Sequence, residues 1–60
     1  MTMKDSDLLN LLLKNGWKEV RIHGSHHVLQ KGEKTEVIPV HGKDMKTGLL
    51  NKILKETGLK

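Results

Sequence analysis

Arg21-Ile22-His23-Gly24-Ser25-His26-His27-Val28 decides how this chain folds. Gly24-Ser25 is a turn signal, and apolar and polar residues alternate on either side of it with the period of a strand. On the left, Val20 and Ile22 alternate with Glu19, Arg21 and His23, as in a half-buried strand that begins after Trp17. On the right, His26 to Gln30 forms the returning strand. The polar run Lys31-Gly32-Glu33-Lys34 suits a second hairpin turn. Thr35 to His41 then reads as a third strand, with Ile38 and Val40 on one face. Pro39 has no backbone donor, so this strand is expected at an edge of the sheet.

Both flanks of this region carry helical spacing. Asp5 and Ser6 are good N-caps before a leucine-rich segment in which Leu8, Leu9 and Leu12 share one side. Leu11 and Leu13 border that side, Asp7, Asn10 and Lys14 lie opposite, and Asn15-Gly16 ends the helix. Beyond the loop His41-Gly42-Lys43-Asp44, Thr47 is a candidate cap for a second helix. Its apolar face is Leu50, Ile53 and Leu54, its polar face Asn51, Lys52 and Lys55, and Gly58-Leu59 makes a Schellman ending. Trp17 and the leucines are expected in the core. The class is α+β: helix, three antiparallel strands, helix, in two layers around one core.

Sixty residues make one small domain, spanning 1–60. A chain of that length buries only about 60% of the surface its unfolded form exposes, so a partner could add much stability. No cysteine is present, which removes disulfides and thiolate metal sites and fits a reducing compartment. Met1-Thr2-Met3-Lys4-Asp5 lacks the apolar core of a signal peptide, and no apolar run reaches membrane-spanning length. The expectation is a soluble, cytoplasmic protein without a membrane partner. Eleven Lys and Arg against seven Asp and Glu give a net charge of +4, which favours nucleic acid, an anionic membrane or an acidic protein as partner. One Trp and no Tyr or Phe argue against single-strand readers that stack bases on aromatic platforms.

Three of the four histidines fall between positions 23 and 27. Imidazole is the side chain whose ordinary pKa lies near neutrality, so it exchanges protons there unaided. Attack of a 2′-hydroxyl on its own phosphate needs a proton acceptor, a proton donor for the leaving oxygen, and positive charge near the phosphoryl oxygens. A histidine on a strand among Lys and Arg meets those needs. Gly24 lets a phosphate approach the backbone and Ser25 offers a hydroxyl. His23, His26 and His27 also read as H-x-x-H-H, a pattern open to zinc, copper or nickel. Alternation along the strand, however, sends His26 and His27 to opposite faces, and no acid or cysteine stands at a ligand spacing. His23 and His27 are better explained as ordinary strand residues, whose positions beside a turn and opposite a core face need no function. Lys14, Lys18, Arg21, Lys31 and Lys34 could be no more than a solvated surface.

Longer motifs go further. Leu12 to Val28, read as Leu-x-x-Asn-Gly-Trp-x-x-Val-Arg-x-x-Gly-Ser-His-His-Val, resembles the HicA toxin family of bacterial and archaeal toxin–antitoxin systems. So do Val37-Ile38-Pro39-Val40-His41-Gly42 and the ending from Ile53 to Leu59. The resemblance implies a double-stranded-RNA-binding-domain-like α-β-β-β-α fold: a three-stranded antiparallel sheet with both helices on one face. It also implies an endoribonuclease that cuts mRNA independently of the ribosome and is neutralised by a HicB-family antitoxin. The family's single catalytic histidine follows a Gly-Ser or Gly-Gly pair at the start of the second strand, which matches His26, with His27 as second choice. The implied mechanism uses no metal and no cofactor. Ser25, Gly24 and His41 are candidate auxiliary groups, Lys46 or water could also supply the second proton-transfer role, and Lys18, Arg21 and Lys46 are candidate phosphate contacts. Leu29, Leu49 and Glu36 depart from the family pattern, where an aromatic residue, a threonine and an apolar residue are usual; the departures bear on RNA contact and edge packing. The competing reading is a non-catalytic double-stranded-RNA-binding or protein-interaction module, since fold does not fix function.

Overall fold

Leucines at helical spacing build α1, Asp5–Lys14, and bury Leu8 and Leu12 completely while leaving Leu13 40% exposed. The computed structural model describes residues 3–59; the readings made for Met1 and Thr2, and the end of the 1–60 span, lie outside the described residues. α1 stops where Gly16 takes φ 93°, a left-handed conformation that costs glycine nothing. The amide of Trp17 then donates to Leu12 O at 3.1 Å and that of Gly16 to Leu13 O at 3.4 Å, which is the Schellman pairing. Lys31 Nζ donates to Asn15 O at 2.8 Å, so this lysine closes the helix end instead of belonging to a free solvated surface.

The chain then runs β1 (Lys18–His23), β2 (His26–Lys31) and β3 (Lys34–Pro39), an antiparallel sheet in the order β1-β2-β3, followed by α2 (Thr47–Thr57). β3 is thus an edge strand, as Pro39 requires, but it ends at Pro39, so Val40 and His41, expected in the strand, lie beyond it. There the Val40 amide is taken by Ser25 O and the His41 amide by the Asp5 carboxylate. α2 ends as the Gly58-Leu59 pair predicts: Gly58 has φ 78°, and the Leu59 amide donates to Leu54 O at 2.9 Å. The architecture is the expected α+β fold in two layers. Leu8 and Leu12 of α1, Leu50 and Ile53 of α2, Leu29 of β2, Ile38 of β3, and Trp17 and Met45 from the connections form one buried cluster. Both helices therefore cover the sheet face that carries Leu29 and Ile38. Each such aliphatic side chain contributes about 1.5–3 kcal/mol on burial, so this face anchors the fold.

Cross-strand partners share a face of an antiparallel sheet. Ile22, His27 and Ile38 form one row on the helix-covered face, and Glu19, Leu29 and Glu36 form another. Arg21, Val28 and Val37 lie on the open face, as do His23, His26 and Pro39.

Three further expectations need correction. Val20 and Ile22 are not a half-buried pair: they are 51% and 54% exposed. A bulge between Glu19 and Arg21 shifts the register, so Val20 leaves the phase of Ile22, and β1 lies at the sheet edge beyond the cover of the helices. Neither Asp5 nor Ser6 is the N-cap of α1; Lys4 holds that position without a side-chain hydrogen bond, and Asp5 is the first helical residue. Likewise Lys46, not Thr47, caps α2, again without a side-chain bond. A buried use for the Asp5 carboxylate explains the first of these cap shifts.

Candidate active site

The first hairpin presents the histidines. Gly24 has φ 56° and among the described residues no non-glycine residue has positive φ, so only the first central residue of the Gly24-Ser25 turn is left-handed, as a type II′ turn demands. This tight turn sets His23 and His26 directly opposite each other, both exposed on the open face. Ser25 O accepts the Val40 amide at 2.7 Å, which ties the turn to the segment that follows β3. His26 lies between His23 of β1 and Pro39 of β3, and no side chain of the described residues holds its ring.

His27 points the other way. Its Nδ1–H donates to Glu19 Oε2 at 3.2 Å, and its side chain is only 19% exposed. A half-buried imidazole already engaged by a carboxylate is a structural strand residue, so of the two adjacent histidines His26 is the accessible one. The H-x-x-H-H array is thereby split across the sheet, and among the described residues no three His, Asp or Glu side chains converge as a metal site requires.

His41 reaches the same end of the sheet through a buried anchor. Asp5 is 2% exposed, and its Oδ2 accepts the His41 amide at 2.5 Å and the Lys43 amide at 3.4 Å. Its Oδ1 accepts the Ser6 amide at 2.7 Å, while its own amide donates to Lys43 O at 3.0 Å. The His41 amide holds the carboxyl below its ordinary value, burial opposes this, and the amides of Lys43, Ser6 and Gly42 add to the lowering. A carboxylate with several amide donors is satisfied as an anion, so it fixes the 41–43 loop against the start of α1. The backbones of Lys4 and Asp44 pair in an isolated antiparallel bridge, and the Met45 amide donates to Met3 O at 2.8 Å, which extends the seam.

That loop borders a cavity of about 310 Å³ lined in part by Asp5, Pro39, His41, Lys43, Lys46 and Leu49. Pro39 is the cross-strand partner of His26, so the cavity adjoins the histidine row. Lys46 and His41 are thus brought near the hairpin, with Ser25 and Gly24 in the turn itself. Arg21 sits on the open face, where it shares a shallow hollow with Val20, His23, Val28 and Gln30. Lys18 is not brought in: it pairs with Gln30, four residues along β2 from His26, or about 14 Å at the usual strand rise. Glu36, the acidic residue at a usually apolar position, lies partly buried on the helix-covered face. Burial raises its pKa, Glu56 adds to the effect and Lys52 opposes it.

Two features escaped the sequence reading. Asp5 looked like a cap because its partners lie 36 and 38 residues away, a separation that carries no local signal. The pairing of His23 with His26 depended on a two-residue turn, which Gly24-Ser25 does signal.

A site with an exposed imidazole, flanked by a glycine turn and approached by Arg21, Lys43 and Lys46, suits proton transfer on a phosphate-bearing ligand. Comparison with curated proteins found no match, and none was found among solved structures. Comparison with family models found one over residues 6–59, described as the HicA toxin of bacterial toxin–antitoxin. Among the described residues, no helix is long and apolar enough to cross a membrane. The match spans both helices and all three strands, and on it the chain belongs to the HicA toxin family, the toxins of toxin–antitoxin systems.

Proposed function

We propose that this toxin is a metal-independent endoribonuclease of the cytoplasm that cleaves mRNA with His26 as general acid/base. A HicB-type antitoxin neutralises it, and residues 1–60 act as one domain. The observation that carries the reading is the exposure of His26 at a rigid turn, while its neighbour His27 is tied to Glu19 on the other face. The 2′-hydroxyl attacks its own phosphorus as the imidazole takes its proton. The bond from phosphorus to the 5′-oxygen then breaks as that oxygen is protonated. Positive charge from Arg21, Lys43 and Lys46 offsets the charge growing on the phosphoryl oxygens. Gly24 leaves backbone room for the phosphate, with nothing within 4 Å of where a Cβ would stand. The net charge of +4 favours an acidic antitoxin surface, which also speeds encounter.

Incubation of the purified chain with RNA in chelator tests this. The expected result is cleavage that survives chelation and is lost in His26→Ala. Binding without cleavage would instead mark a non-catalytic RNA-binding module, and cleavage only with added metal would mark a metal site.

A further inference from the structure

Cleavage by 2′-hydroxyl attack needs two proton transfers, one at the attacking oxygen and one at the leaving oxygen, and these oxygens lie on opposite sides of phosphorus. One imidazole does not easily serve both within a single step. The hairpin register supplies a second imidazole: His23 and His26 are direct partners across the Gly24-Ser25 turn. Such partners have Cβ atoms about 5 Å apart on one face of the sheet. Both residues are exposed, and His41, the other exposed histidine, stands beyond Val40 in a separate loop.

We propose that His23 is the second catalytic residue, dividing the two proton transfers with His26; this rests on the ribonuclease reading above. One ring, neutral, accepts the 2′-hydroxyl proton as the bond from O2′ to phosphorus forms. The other, protonated, gives its proton to the 5′-oxygen as the bond from phosphorus to O5′ breaks. The products are a 2′,3′-cyclic phosphate and a 5′-hydroxyl, and the two rings have exchanged protonation states with no other reactant. The charged surroundings suit the pair. Arg21 lies two residues along β1 on the same face, β3 contributes only the uncharged Pro39 and Val37 beside it, and both helices cover the opposite face. Lys43 and Lys46 stand past Pro39 around the neighbouring cavity.

The test is steady-state cleavage of a short RNA by the full chain and by His23→Gln, His23→Lys, His41→Gln and His26→Ala, each measured across pH. His23→Gln should lower kcat by about 100-fold or more, the usual loss with one acid–base group, and remove one limb of a bell-shaped profile. KM and the melting temperature should stay near wild type, because the side chain is exposed. His23→Lys keeps the cation and should retain KM without restoring kcat at neutral pH, which separates proton transfer from charge. His23→Gln with wild-type kcat and both limbs intact would overturn the proposal, as would loss of a limb in His41→Gln alone. In either case an inactive His26→Ala leaves the ribonuclease reading standing; full activity of His26→Ala removes that reading itself.

Discussion

The register of β2 decides which histidine faces solvent, and it can be tested through stability. Leu29 is fully buried, whereas Val28, next to it on the strand, is only partly buried and lies on the open face. Leu29→Ala removes most of a side chain from a close-packed core, at a cost of about 2–5 kcal/mol. Its direct cross-strand partners are Glu19 and Glu36, so no aliphatic neighbour in its row can collapse into the void. That places the cost in the upper half of the range, about 3.5–5 kcal/mol. A chain of 60 residues has a total stability of about 3–9 kcal/mol, so the variant should lose a large part of it and unfold at a much lower urea concentration than wild type. Val28→Ala should cost about 1 kcal/mol or less, because its cavity opens to solvent. Urea titrations followed by tryptophan fluorescence give both midpoints, and a shared slope licenses the comparison. Should Val28→Ala prove the more damaging, the strand is shifted by one residue. His26 would then lie under the helices and His27 outside, because a one-residue slip exchanges the faces.

Three further outcomes follow from the charged groups. The Asp5 carboxyl sits below its ordinary value of 3.8 in the fold, so its stabilising contribution is present above that value and lost as pH falls through and below it. Asp5→Asn should therefore melt lower than wild type at neutral pH, with the two melting curves converging in acid; parallel curves would show that the carboxylate does not anchor the loop. Glu36 is shifted the other way, above its ordinary value of 4.5, so its protonated form is favoured by folding and that advantage is lost as pH rises. Glu36→Gln should raise the melting temperature at pH 7 and lose this lead in acid, whereas a lower melting temperature at pH 7 would contradict the burial argument. Finally, RNA affinity measured over a range of salt should lose about 0.7–0.9 from its logarithmic slope in Arg21→Ala and little in Lys18→Ala. The reverse order would move the phosphate track to the other end of the hairpin.

Much of the fold was legible because local chemistry and tertiary structure agree. The leucines of α1, the Gly16 and Gly58 endings, the two hairpin turns and the edge position implied by Pro39 each express a rule that operates within a few residues. Val20 and Ile22 broke the reading because a bulge cancels the two-residue period on which it relied, and alternation alone cannot reveal an inserted residue. Asp5 was misplaced for a related reason. A short polar residue before an apolar run signals a cap, but a carboxylate can instead be recruited by amides from a distant loop. In the candidate site, alternation alone separated His26 from His27. Opposing His23 to His26 required the turn length, and placing Lys18 at the far end of the hairpin from His26 required the register of the whole hairpin. Lys31 shows the limit of charge reading: a lysine counted as solvated surface closes the end of α1.

The central claim rests on the imidazole that the first turn holds in solvent beside Pro39. Expression of His26→Ala without antitoxin, with RNA cleavage followed in the same cells and antitoxin binding measured on the purified variant, tests it most directly. The account predicts normal growth, intact transcripts and antitoxin affinity equal to wild type. Growth arrest and transcript cleavage at the wild-type level by that variant would contradict it.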